Sequence, residues 1–351
     1  MSGKLLKRNH TLDILRAFAA LAVVLFHLNE PIAHIDNWYR NIVKLGWLGV
    51  PVFFVISGYC IMMSAFKTKK FNYFISKRFF RIFPPYWVSL LLIILIAILQ
   101  KIVTGFNSIS SIPKNLIEIG ANLALLTKPF SNIETINWVY WSLTYEWFFY
   151  LLIGIVMLSL PIRFWITALS IITLISIYID NSDYNILFFF HHWPTFSLGL
   201  AAYTFHFDNT NKRLFYFFTL VILSMYGIVN HFVLVNQVEY GIASLLTFII
   251  LLISPYLQVS KNILTSLGDY SYGVYLLHVP IGIYIMGRLK TKDIQENIFL
   301  NILYDLIIYL ICCSAAKLFY QFIELPSMKL GNKPLIISSD NQTSSIDTKN
   351  H

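Results

Sequence analysis

Residues 11–29 read TLDILRAFAALAVVLFHLN. The run matches the roughly 20 residues that an α-helix needs to cross a hydrocarbon core at 1.5 Å per residue. Its ionisable members are Asp13, Arg16 and His27. An arginine inside the run, with no small-residue cleavage site after it, argues against a removable signal peptide, so the segment is read as a retained membrane helix.

The rest of the chain supports that reading. Of 351 residues, 57% are hydrophobic and 12% charged, about half the charge of an ordinary soluble domain, which this composition excludes. Pro and Gly are too few for a collagen-like or low-complexity chain, and Cys60, Cys312 and Cys313 cannot build a disulfide framework. The net charge of +9 concerns which loops carry it rather than nucleic acid, which is not expected as a partner.

Further apolar runs lie at 47–66, 83–103, 139–160, 162–180, 185–206, 213–231, 239–257, 268–287 and 299–322. The expected fold is an all-α polytopic membrane bundle of about ten transmembrane helices. In the long connection 105–137, Asn115–Leu126 is too short and polar to span and is read as a helix lying at the interface or re-entering. Residues 1–333 form one membrane domain, and the Ser/Asn/Asp-rich stretch 334–351 is expected to be a disordered tail. With the N-terminus inside, the cytoplasmic segments hold sixteen Lys and Arg against eight outside. This bias puts both termini in the cytoplasm, and the expected location is the cytoplasmic (inner) membrane of the cell. Arg288, Lys290 and Lys292, in the last outer loop, run against it.

Ionisable residues inside the spans cost at least about 2.5–3.5 kcal/mol each near mid-membrane, so each needs a reason. Arg16 and His27 project from nearly one face of the first helix, roughly 16 Å apart along its axis. Asp13, one turn before Arg16, can pair with it. A single histidine on an apolar helix is more often structural; three polar groups on one stripe suggest a lined cavity. Gly46, Gly49 and Gly58 allow close helix approach around the second span. Arg78 and Arg81, three apart, turn both guanidiniums one way, and Pro84-Pro85 is read as the start of the third span. Their plain reading is positive-inside charge beside a Tyr86-Trp87 anchor; their chemical one is a phosphate or pyrophosphate site. Ser142, Glu146 and Tyr150 stack at i, i+4 and i+8. Ser271, His278 and Glu324 follow in the last third. The pair His191-His192 faces about 100° apart on a helix and makes no metal site, and none is expected elsewhere.

Taken in order, Asp13-x-x-Arg16-x10-His27, the run Gly49 to Gly58, Arg78-x-x-Arg81-Ile-x-Pro84, Trp141-Ser-Leu-x-x-Glu146-x-x-x-Tyr150, Ser271-Tyr-x-x-Tyr-x-x-His278-x-Pro280 and Glu324-x-Pro326 resemble the membrane acyltransferase-3 family. That family comprises bacterial integral-membrane O-acyltransferases of surface and secreted glycans, and the resemblance spans about residues 9–330. Pro51, where many relatives carry Asp, and Trp147, where a second acid often follows the Glu, depart from the pattern and bear on acceptor preference. No SGNH hydrolase-like domain of the kind some relatives fuse follows, so a standalone form is expected, acting alone or with a separate glycan-biosynthesis or acyl-accepting protein.

The resemblance implies acyl transfer, usually of acetyl, from cytoplasmic acetyl-CoA or another acyl-CoA to a hydroxyl of a glycan or lipid-linked sugar. The acyl-CoA is a donor substrate, and no cofactor stays bound. On this reading His27 is general base or transient acyl carrier, Glu146 orients or charge-balances it, and Arg16 positions the donor or stabilises negative charge. Arg78 and Arg81 hold the CoA phosphates. Asp13, Ser142, Tyr150, Ser271, His278 and Glu324 support them. Three alternatives stay open: a proton-coupled transporter or glycan flippase using Arg16, His27 and Glu146, another class of membrane acyltransferase with an intramembrane histidine, and a structural or sensor protein.

Overall fold

The computed structural model describes residues 8–30, 35–105, 112–179 and 186–332; Lys4, Lys7, Lys333, Lys349 and the expected tail at 334–351 lie outside them. Among the described residues the chain forms helices and turns with no strand. In order these are α1 (His10–Asn29), α2 (Trp38–Val43), α3 (Gly49–Thr68), α4 (Phe71–Thr104), α5 (Leu116–Leu123), α6 (Trp141–Ser159), α7 (Trp165–Ile177) and α8 (Trp193–Phe207). They continue with α9 (Arg213–His231), α10 (Val238–Ile253), α11 (Ile263–Asp269), α12 (Ser271–Leu277), α13 (Lys292–Glu296), α14 (Ile298–Phe319) and α15 (Leu325–Gly331). A π-helical stretch, His278–Met286, prolongs α12, and another, Tyr320–Glu324, joins α14 to α15.

Helix occurs at all ten expected positions. Seven helical runs are long and apolar enough to span by themselves: 10–29, 38–68, 71–103, 138–159, 213–235, 238–256 and 298–331. The stretches 162–177 and 271–286 are shorter apolar helices, and α8 is the tenth. The chain is therefore a multi-pass helical membrane protein. α5, its N-terminus capped by the Asn115 side chain, is the short helix expected in the long connection.

Faces are distributed as a bilayer demands. α9 presents Phe215, Phe218, Ile222 and Tyr226 outward and buries Leu220, Ser224, Gly227 and Ile228. Large apolar groups thus cover the outward face, while the protein-facing side sets the small Ser224 and Gly227 between Leu220 and Ile228. α8 is buried along its length from Trp193 to Thr204, which allows it to carry Thr195, Ser197 and Thr204 among apolar residues. It packs on α3 so closely that a Cβ at Gly58 would strike the Phe196 carbonyl, and one at Gly199 the Val55 carbonyl. α1 lies among α3, α11, α12 and α14, and a Cβ at Gly268 of α11 would strike its Asp13 carbonyl.

Pro84 and Pro85 do not start a helix. They lie inside the 34-residue α4, about 51 Å long and well beyond a hydrocarbon core of about 30 Å. A proline at position 84 deprives the Phe80 carbonyl of its helical donor, and the Ser327 hydroxyl donates to that carbonyl instead. α15 thereby fastens to the first half of α4, and the helix continues where the sequence pattern suggested a boundary.

Lys290, which ran against the charge bias, is buried and ion-paired with Asp305 at 2.8 Å. Burial pulls its ammonium below the ordinary lysine range, opposed by Asp305. Asp305 also accepts from Asn29 at 2.6 Å and Tyr39 at 2.9 Å. Lys290 is thus a neutralised internal charge rather than a free loop charge.

Gly199→Val will leave no folded protein in detergent, measured by gel filtration and thermal unfolding. Lys290→Met strands the Asp305 carboxylate and will cost about 3–5 kcal/mol, largely recovered in Lys290→Met/Asp305→Asn; equal melting temperatures for wild type and the single variant would refute the role given to this pair. Ser327→Ala will cost about 1 kcal/mol by the same measurement.

Candidate active site

Two cavities enter the bundle from opposite ends. The larger, about 1640 Å³, is lined by Asp13, Arg16, Arg78, Arg81, Ser142, Glu146, Tyr150 and Ser271, among others. Its end of the bundle holds the N-terminal end of α1, the α3–α4 junction and α15; there Arg8 pairs with Asp269 of α11, and Asn9 donates to Ser254 just after α10. The smaller cavity, about 330 Å³, is lined by His27, Trp47, Trp138, Trp141, His191, His192 and Gln237, among others. Val23, Val50, Ser142 and Tyr275 belong to both linings, so one thin wall separates them. Ser142 Oγ and Tyr275 Oη are hydrogen-bonded across it at 2.8 Å, and Tyr275 also donates to the Val139 carbonyl.

In the larger cavity the expected Asp13–Arg16 pair is present at 3.5 Å. The buried Asp13 carboxylate also meets Arg8 at 2.9 Å and His10 at 3.2 Å. Arg16 reaches the thiol of Cys60 at 3.1 Å. Arg78 donates to Ser64 Oγ at 2.6 Å and lies over the Tyr150 ring, 5.5 Å from its centroid. Arg81 contacts Met328 Sδ at 3.7 Å and lies within electrostatic reach of Glu146, Tyr150 and Glu324. Two half-buried guanidiniums, neither tied by a direct salt bridge to a carboxylate among the described residues, face a cavity large enough for an extended anionic ligand.

Glu146 accepts from Tyr150 and, at 3.1 Å, from Ser57, so the stack expected on α6 exists. The expected pairing of Glu146 with His27 is replaced. Glu146 faces the larger cavity, whereas His27 lines the smaller one, where its Nδ1 meets His278 Nε2 at 2.8 Å. His278 Nδ1 lies 2.7 Å from the Tyr275 carbonyl. A carbonyl only accepts, so His278 carries its proton on Nδ1 when neutral, its Nε2 accepts, and His27 donates from Nδ1. The His27 Nε2 then keeps its lone pair, as a proton acceptor requires. The His27 ring meets Trp138 edge-on, with centroids 4.5 Å apart.

Ser271, in the lining of the larger cavity, donates its hydroxyl to the Gly268 carbonyl at 3.0 Å. Glu324 is buried, with Oε1 facing the backbone of Gly273. Sequence reading missed Ser57, Cys60 and Tyr275 in the larger cavity and Trp47, Trp138 and Gln237 in the smaller. Ser57 and Tyr275 stood inside quoted motifs and Trp47 beside Gly46, but none announces by its own spacing which helix it faces.

The chain resembles known proteins along most of its length. Against O-acetyltransferase OatA of Staphylococcus aureus strain NCTC 8325 it is 26% identical, with 92% of this chain and 57% of the relative aligned. A chain of the COL strain of the same species, also named as an O-acetyltransferase, is 25% identical over 92% of this chain and 58% of its own. One of Acidianus two-tailed virus, named as an acetyltransferase, is 26% identical over 76% of this chain and 81% of its own. The chain therefore spans somewhat more than half the length of the staphylococcal relatives. No solved structure is significantly similar to it. The sequence pattern of the acyltransferase domain matches residues 9–320, nearly all of the bundle built above, and the chain belongs to the acyltransferase-3 family of membrane acyltransferases.

Proposed function

We propose that this protein is an O-acetyltransferase of the cytoplasmic membrane that moves an acetyl group from acetyl-CoA to a hydroxyl of an envelope or exported polysaccharide or glycolipid. The observation that carries this reading is the pair of cavities meeting at Ser142 and Tyr275, one lined by arginines and the other by His27.

The charge bias assigns the larger cavity to the cytoplasm, where acyl-CoA is found. Arg78 and Arg81 hold its phosphates by charge-assisted bonds. Arg16, fixed by Asp13 and Cys60, steers the pantetheine arm toward the wall. Because Arg16 lies roughly 16 Å along α1 from His27, its role is to position the donor, not to stabilise charge where His27 acts. At the wall the acceptor hydroxyl gives its proton to His27 Nε2 while its oxygen attacks the thioester carbonyl. The tetrahedral intermediate then collapses, forming the ester and releasing CoA thiolate, which takes the proton back from His27. Ser142 and Tyr275 are the hydroxyl side chains common to both linings, where the thioester and the acceptor meet on this reading. His278 is a positioning residue that keeps His27 in the productive tautomer. Glu146, bonded to Ser57 and Tyr150 and within reach of Arg81, balances the arginines of the donor site.

His27→Ala will lower acetyl transfer from acetyl-CoA by about 10²–10⁴-fold, assayed on membranes with matched amounts of folded protein; normal transfer by that variant overturns the mechanism. Arg78→Ala and Arg81→Ala will act mainly on the KM for acetyl-CoA, raising it by about tenfold or more for each lost charge-assisted contact. His278→Ala will lower kcat with little change in that KM, the pattern of a group that orients the base rather than binds the donor.

A further inference from the structure

The smaller cavity carries information about the acceptor that the acyl-transfer reading does not contain. Its volume of about 330 Å³ is at the low end of the roughly 300–1,000 Å³ typical of small-molecule sites. It has room for one ring and not for a run of linked rings. Among the described residues its lining holds no Lys, Arg, Asp or Glu, so the ring it receives is uncharged and a phosphate would meet no counter-charge.

The walls are aromatic and rigid. Trp47, Trp138 and Trp141 line the cavity, and the negative face of an indole suits the weakly positive C–H face of a pyranose. The His191 ring lies parallel to His231 with centroids 5.3 Å apart, and the His191 carbonyl accepts from His231 Nδ1 at 2.9 Å. His192 Nδ1 is bonded to Tyr240 Oη at 2.8 Å, and that hydroxyl to Thr195 at 3.1 Å. These bonds fix one side of the pocket before anything binds, which lowers the ordering cost. At the rim Trp138 is 42% exposed and Gln237 is exposed. The side-chain amide of Gln237 both donates and accepts, as hydroxyl recognition requires.

We infer that this cavity binds a single neutral sugar ring, the terminal or single-residue branch unit of the acceptor, and that Trp138 and Gln237 are specificity residues for it. The inference rests on the acyl-transfer reading, and it limits acylation to chain ends, branches and monosaccharide units.

The test uses the full chain in detergent. Methyl glycosides of glucose, galactose and N-acetylglucosamine are titrated without acetyl-CoA while tryptophan fluorescence is followed. They are then offered with labelled acetyl-CoA beside linear trisaccharides of the same sugars, and the acetylated residue is located by NMR. The expected result is saturable quenching by at least one glycoside, transfer to that glycoside, and acetylation of only an end residue in its trisaccharide. Gln237→Ala and Trp138→Ala should each raise the KM for the glycoside by about tenfold or more. Acetylation of the middle residue, or transfer to trisaccharides with none to any glycoside, overturns the single-ring assignment. The absence of quenching by every glycoside overturns it as well. Saturable quenching without any cleavage of acetyl-CoA supports the pocket and overturns the acyl-transfer reading beneath it, so the two failures are distinguishable.

Discussion

The constraint on which this structure depends is that a charge taken out of water must find its counterpart inside the protein. It acts at both ends of α1. At one end Asp13 gathers Arg8, His10 and Arg16. At the other Asn29 donates to Asp305, which Lys290 neutralises and Tyr39 also reaches. Arg8, which also pairs with Asp269, ties the first set to α11, and Asp305 ties the second to α14. The rotation and depth of its polar stripe follow, and with them the positions of Arg16 in one cavity and His27 in the other.

Much of this was legible in the sequence because membrane helices obey two strong rules, one of length and one of charge. The ten helical positions, the short helix after Asn115 and the stripe Asp13–Arg16–His27 all came from those rules. Pro84-Pro85 was misread because the carbonyl that Pro84 frees is satisfied by Ser327, a partner no local pattern contains. Lys290 looked like a misplaced loop charge until Asp305 was seen beside it. α8 keeps an interior position that a hydropathy threshold undervalues, since its hydroxyls face protein rather than lipid.

The candidate site was legible as a set of groups and not as pairs. Helical period tells which residues share a face of their own helix, so Ser142, Glu146 and Tyr150 were read together correctly. It says nothing of the opposing helix. His27 meets His278 across 251 positions of chain, and Glu146 meets Ser57 across 89. Dividing the polar residues between two cavities required the packing of α3 on α8 and of α11 on α1, fixed by the close approaches at Gly58, Gly199 and Gly268.

The bond between Ser327 and the Phe80 carbonyl links residues 247 positions apart. A ribosome completes α4 long before it makes α15. Until α15 is made, the Phe80 carbonyl lacks this partner and the larger cavity lacks the Met328 part of its lining. The larger cavity thus draws one part of its lining, Met328, from a helix made well after α1, α3 and α4, and its completion is a late step in the synthesis of the described bundle.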